Sequence, residues 1–213
     1  FRLPAEMIRD NALAIGGLLQ TSVGGPPTKP YQPDGLWDEL AGGASQGPYV
    51  QDHGENLYRR SLYIHRKRTV PHPAMSTFDA PSWEICRVRR TRTNTPLQSL
   101  ALLNDVTYVE SARGLGRRML TEVQEEDPRA RIQYGFRLAT ARNPLPAELA
   151  ALQAALQRYE TIFTSDRDSA RRVVQHGETP PATGLDDASW AAYTTLGSVL
   201  LNLDETITDR KST

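Results

Sequence analysis

From residue 95 onward the apolar residues recur every three or four positions, which is the period of helices packed along one face. Leu149, Leu152, Leu156, Tyr159 and Phe163 step by three, four, three and four, behind an opening Pro146-Ala147-Glu148. Ile132, Phe136 and Ala139 form a similar face after Asp127-Pro128, and Val106, Val109, Ala112, Gly116 and Met119 form another that reaches about Leu120. A short helix is expected over Asp166–His176 and a last one over about Asp187 to Leu203, with Trp190, Tyr193, Gly197, Leu200 and Leu201 inward. Thr95-Pro96-Leu97-Gln98 reads as a capping box, and the helix that it opens carries Leu97, Leu100, Ala101 and Leu103. Asn104-Asp105 is where that helix restarts or kinks. The tail Asp204–Thr213 is polar and is expected to fray.

The first 94 residues follow no such rule. Ile8, Ala12, Ile15 and Leu19 predict one helix, opened by Pro4 and Glu6 and weakened at Gly16-Gly17. Tyr58, Leu62, His65 and Thr69 predict a second helix over 56–69, with a strand as the weaker alternative. Between them, residues 20–54 hold so many Gly and Pro residues that only a short helical turn around Leu36–Leu40 fits. Tyr31, Leu36, Trp37 and Tyr49 are expected to pack this long loop on itself. Residues 70–94 read as an irregular connector with a short strand at Ile85–Arg89. The fold class expected is mostly α, a helical bundle with a long Gly/Pro-rich and Arg-rich irregular layer. It is read as a single domain over 1–213, with a loop-rich part at 1–94 and the bundle at 95–213.

Composition narrows the classes. The chain has 213 residues and one cysteine, so a disulfide framework or a Cys-based zinc site is excluded. No apolar run is long enough to span a membrane. Lys plus Arg equal Asp plus Glu at 25 each, but the balance is a cancellation. Nine basic residues and only two acids, Asp79 and Glu84, lie between Arg59 and Arg92, so that segment carries +7 and the rest −7.

Two readings of this island compete. In one, its arginines pair with acids of the helical body and hold the loop-rich part on the bundle. In the other, Arg59, Arg60, Lys67, Arg68, Asp79, Arg89, Arg90, Arg92 and Asn94 contribute to a site for an anion or an acidic partner. Tyr58, Tyr63 and Trp83 would then serve as stacking surfaces. A third reading, nucleic-acid binding, is the weakest, because no nucleic-acid motif accompanies the charges.

Signatures of catalysis are missing from the sequence. The histidines lack metal-ligand helix spacing and HExxH is absent, so no metal site is assigned. Asp52-His53-Gly54-Glu55 reads as a solvated turn, His65 as a hydrogen-bonded structural residue and Cys86 as a buried, inert thiol. Asp79, Asn94, Gln98, Asn104 and Asp105 are explained as caps and loop hydrogen bonds. No GxSxG, P-loop or strand-led GxGxxG occurs; Gly114-Leu115-Gly116 sits within a helix. No CxxCH occurs, so no cofactor is assigned to this segment.

A series of short motifs carries a resemblance. Gly24-Gly25-Pro26, Lys29-Pro30-Tyr31-Gln32-Pro33 and Gly35-Leu36-Trp37 are followed by Leu57-Tyr58-Arg59-Arg60-Ser61-Leu62-Tyr63 and Lys67-Arg68-Thr69-Val70-Pro71. Then come Thr77-Phe78-Asp79-Ala80-Pro81, Arg89-Arg90 through Arg92-Thr93-Asn94-Thr95-Pro96-Leu97-Gln98, Leu102-Leu103-Asn104-Asp105 and Leu200-Leu201-Asn202-Leu203-Asp204-Glu205. In this order they resemble the planctomycete-secreted domain family, the C-terminal domain of unknown function of large planctomycete-type secreted proteins. The resemblance implies an exported protein, periplasmic or at the cell surface, of which this chain is the C-terminal part of a larger family domain. It implies cytochrome-c-like haem domains upstream, so haem c belongs to that part, and upstream domains of the same polypeptide as partners. The expected role is a non-catalytic interaction or scaffold domain. Recognition or hydrolysis of acidic or sulfated polysaccharide is the alternative. The chain departs from the family pattern at Pro4, at Leu145 and at His65-Arg66, where a capping Asp, a capping Thr or Ser and aromatic residues are usual.

Overall fold

The computed structural model describes residues 1–37 and 49–209. Among these, the chain forms nine α-helices, two short 3-10 turns and isolated bridges, with no strand. The helices are α1 (Ala5–Ile15), α2 (Pro73–Thr77), α3 (Pro96–Asn104), α4 (Val106–Thr121), α5 (Pro128–Thr140), α6 (Pro146–Ser165), α7 (Arg167–Val174), α8 (Asp187–Leu201) and α9 (Asp204–Ile207). The mostly α architecture expected from the periodicity is present.

The bundle is built around α4 and α8, which cross at small residues. A Cβ on Gly116 would lie 2.8 Å from the Thr194 nitrogen, and one on Gly197 would lie 2.8 Å from the Ala112 carbonyl oxygen. That proximity buries Ala112, Leu115, Met119, Tyr193, Leu196 and Leu200 completely or nearly so. The same core takes Ala5 and Ile8 of α1, Ile64, Met75 and Phe78, so the loop-rich part and the bundle share one apolar interior. Four aspartates start helices: Asp105, Asp127 and Asp166 where the sequence places a start or restart, and Asp186 one residue before the predicted start. Asp105, Asp127, Asp166 and Asp186 accept from the backbone N–H groups of Thr107, Arg129, Ser169 and Ser189 at 2.9–3.0 Å. Asp105 thereby separates α3 from α4.

The capping box at Thr95 is not formed. Pro96 opens α3 as expected, but the Thr95 side chain makes no cap. Gln98 is buried instead, donating to the Thr77 carbonyl at 3.0 Å and accepting from Arg2 at 2.9 Å. Tertiary partners take the glutamine that a cap would have used. α3 buries Leu102 and leaves Leu97, Leu100 and Leu103 exposed. Pro4 and Leu145 cap nothing through their side chains; at α6 the Glu148 carboxylate accepts the Leu145 N–H at 2.7 Å.

The helix expected over 56–69 is replaced by the 3-10 turns Gly54–Tyr58 and Ser61–Tyr63 and by extended chain. The cause is Arg9. Its guanidinium is buried and donates to the carbonyls of Leu57 at 2.5 Å and Arg59 at 2.9 Å, and to Ser61 Oγ. The Tyr58 and Tyr63 carbonyls accept the N–H groups of Gln20 and Thr28. Carbonyls engaged this way cannot build an α-helical ladder. Leu62, expected inward, is exposed.

The strand expected at Ile85–Arg89 is also absent; this stretch is bends and irregular chain with every side chain from Trp83 to Arg92 exposed. Cys86 is therefore exposed, contrary to its expected burial. Leu36 and Trp37 begin the predicted turn, and the rest of it lies outside the described residues. Trp37 is buried against Tyr49, with ring centroids 5.1 Å apart, so the loop does pack on its own aromatics. The C-terminal tail does not fray through residue 209. Thr206 and Ile207 are buried, and the Leu3 N–H donates to the Ile207 carbonyl at 2.9 Å. Residues 210–213 lie outside the described residues.

Candidate functional site

The island of positive charge divides into a structural part and an open part. Arg59 is structural. It is buried above the Tyr63 ring at 4.3 Å and donates to the carbonyls of Pro26, at 2.7 Å, and Gly24. Tyr63 in turn accepts the Gly24 N–H at 2.9 Å, so Arg59 and Tyr63 fix the Gly24-Gly25-Pro26 turn. Lys67 lies over the Trp37 ring at 4.2 Å and Arg92 over Phe1 at 5.5 Å. Asp79 accepts the Thr93 N–H at 2.7 Å, and Asn94 accepts Arg2 at 2.6 Å. His65 stands half-buried against Trp37 at 5.7 Å, and its Nδ1 has no hydrogen-bond partner, so packing holds it in place of the expected hydrogen bond.

The open part lines a cleft of about 650 Å³ between the start of α1, the chain after Arg59 and the Ser82–Arg90 segment. Arg60, Arg66, Arg68, Arg90 and Trp83 lie in its wall, with Met7 and Leu62 as exposed apolar surface. The α1 face supplies the counter-charge. Glu6 Oε1 accepts Arg66 at 2.7 Å and Glu6 Oε2 accepts Arg90 at 2.8 Å. Burial would raise the Glu6 carboxyl, but the bonds from Arg90 and Arg66 prevail and hold it below the usual carboxylate range. Asp10 accepts the Ser61 N–H at 2.7 Å. Arg60 and Arg68 have no carboxylate partner among the described residues and are exposed. Trp83 is 57% exposed with φ of 64°, a region that a bulky side chain rarely adopts, and its ring lies 5.3 Å from the Arg66 guanidinium.

Of the residues singled out from sequence, the cleft brings together Arg60, Arg68, Arg90 and Trp83. Arg59, Lys67, Arg92, Asp79, Asn94, Tyr58 and Tyr63 are used elsewhere in the fold, and Arg89 is exposed outside the cleft wall. The reading missed Glu6 and Arg66. Glu6 carried a signal on the polar side of α1, beside Asp10, and Arg66 stood in the basic island itself.

It also missed a buried polar centre. Glu110 and Arg113 on α4 are 1% and 2% exposed at the side chain and 3.6 Å apart. Glu110 Oε1 accepts Tyr58, the Thr179 N–H at 2.6 Å and the Thr179 hydroxyl at 2.6 Å. Arg113 donates to the carbonyls of Val174, at 2.8 Å, and Thr179. The centre binds the 177–185 loop to the bundle, and Gly177 permits it: at φ of 87°, a Cβ there would lie 2.5 Å from Glu110 Cδ.

Among the described residues no group of three or more His, Cys, Asp or Glu side chains could hold a metal ion, and no helix is long and apolar enough to cross a membrane. No curated protein and no solved structure matches the chain. A family model described as "Protein of unknown function (DUF1553)" matches residues 1–156, which includes α1, the Arg-lined cleft and the Glu110–Arg113 pair. The chain therefore belongs to the PSD1 family of proteins of unknown function.

Proposed function

We propose that this domain is a non-catalytic interaction module of a larger exported protein, and that its cleft receives the carboxylate or sulfate groups of an acidic polysaccharide. The observation that carries the reading is the convergence of Arg60 and Arg68, without carboxylate partners, on a concave surface whose other wall is an exposed tryptophan. Guanidinium forks match planar and tetrahedral anions, and an indole face suits a sugar ring. Recognition is favoured over hydrolysis because both cleft carboxylates are engaged: Glu6 by two arginines and Asp10 by a backbone N–H. The test is binding to immobilised sulfated, carboxylated and neutral polysaccharides. Saturable binding to the acidic polymers, weakened by salt and by Arg60→Ala with Arg68→Ala, is expected. Equal retention on neutral polymer would remove this reading.

A second reading rests on α3. Leu97, Leu100 and Leu103 form an exposed apolar stripe, 41–60% accessible, of the kind that packs against another protein surface. It favours docking of the upstream domains of the same polypeptide, including the haem c domain that the family resemblance implies. Co-purification of separately expressed upstream domains, lost with Leu100→Glu, is the expected result.

A further inference from the structure

Beside the cleft, and sharing Ser82 and Arg90 with it, lies a second and more polar pocket of about 280 Å³. Its wall holds the hydroxyl-bearing residues Ser76, Ser82 and Thr91, the guanidinium-bearing Arg87 and Arg90, and Asp79. We infer that this pocket is a subsite for one tetrahedral oxyanion ester, and for a sulfate monoester in preference to a phosphate monoester.

Three observations carry it. The first is donor supply. Arg87 and the hydroxyls of Ser76 and Thr91 make no side-chain hydrogen bond or ion pair among the described residues, whereas most charged groups of this layer are already spent on the fold. Two guanidinium groups and hydroxyls in one wall are a donor set for a tetrahedral anion, and they give it charge-assisted bonds. The second is how the pocket is held. Asp79, at φ of 61°, accepts both the N–H and the hydroxyl of Thr93, which closes the segment between them into a loop. That clasp keeps Arg87, Arg90 and Thr91 in the wall that Ser76 of α2 also lines. Arg90 is fixed further by its bond to Glu6. The third is selectivity. The Asp79 carboxylate stands in the same wall, and its repulsion acts on a dianion more strongly than on a monoanion. A sulfate monoester carries one charge at neutral pH, while a phosphate monoester carries close to two.

This inference rests on the cleft reading, whose wall shares Ser82 and Arg90 with this pocket, but the donors that it adds, Arg87, Ser76 and Thr91, lie outside the cleft. The probes are methyl sulfate and methyl phosphate, titrated into the ¹⁵N-labelled chain at constant ionic strength. Methyl sulfate is expected to give saturable shifts confined to residues 76–91, roughly tenfold weaker in Arg87→Ala, with Ser76→Ala weakening it further. Both side chains are exposed, so neither change threatens the fold. Methyl phosphate binding more tightly than methyl sulfate would overturn the selectivity, and shifts reproduced by chloride would overturn the subsite. The two readings fail separately: absence of methyl sulfate binding with polymer retention intact removes the subsite alone, and polymer retention insensitive to Arg60→Ala with Arg68→Ala removes the cleft reading alone.

Discussion

The Tyr58 hydroxyl donates to Glu110 Oε1 at 2.9 Å, joining the loop-rich layer to the central helix of the bundle across 52 positions of sequence. The bond is buried, and the other carboxylate oxygen, Oε2, has no hydrogen-bond partner. A buried carboxylate is costly to disturb, since its hydrogen bonds offset its lost solvation. Tyr58→Phe is expected to lower stability by about 1–3 kcal/mol in urea unfolding, with an unchanged slope. Glu110→Ala, which strands Arg113, is expected to cost about 3–5 kcal/mol. A Tyr58→Phe midpoint equal to that of the parent chain would show that the bond contributes nothing.

Arg9 governs the local structure of residues 57–61 through its carbonyl bonds. Arg9→Met keeps the volume but removes the donors, so those carbonyls lose their partners. Hydrogen exchange at residues 57–64 is expected to accelerate far more than exchange in α8. Uniform acceleration over the whole chain would mean that Arg9 acts only through global stability.

The α4–α8 crossing leaves no space at Gly116. Gly116→Ala must push the helices apart or distort them, and a loss of about 1–3 kcal/mol is expected despite the better helix propensity of alanine. Thermal unfolding measures it; a stabilised variant would contradict the close approach.

Acid should weaken the fold through His72. Its Nε2 donates to the Tyr31 carbonyl at 2.9 Å, and burial, with Arg9 and Arg66 nearby, depresses its pKa to about 4. The unfolded side chain titrates near 6.5, so between these values the unfolded state binds the extra proton. The contribution is complete above pH 6.5 and disappears as the pH falls through about 4; its size is about 1–3 kcal/mol. His72→Gln is expected to flatten the stability profile across that window, and an unchanged profile would rule His72 out.

Glu6 occupies two of the four cleft arginines. Glu6→Gln removes that internal competitor, and retention of acidic polysaccharide is expected to rise several-fold at low salt. Reduced retention would show instead that Glu6 is needed to position Arg66 and Arg90.

Periodicity made the bundle legible where a helix buries one stripe, as α5 and α6 do. α6 and α8 appear where Leu156 and Trp190 place them, and the aspartate caps needed no tertiary information. It misplaced 56–69 because a partner 50 residues away, Arg9, decides where the Arg59 carbonyl goes. It missed Glu110 and Arg113 because charged residues on a helix are ordinarily assigned to the solvated face. The small residues beside them, Ser111, Ala112, Gly114 and Gly116, were the available sign that α4 is surrounded on every side. The charge island was visible as a count, but which arginines remain open depends on carbonyls and on α1, which no local pattern reports.

Phe1 and Asp209 are held together: the Asp209 N–H donates to the Phe1 carbonyl at 2.6 Å, and Arg2 pairs with Thr208. These contacts tie the two ends of the described chain to each other. Because α1 and α9 already touch, a short linker from residue 209 to residue 1 with a new opening at the exposed 122–127 connection is expected to keep the described helices.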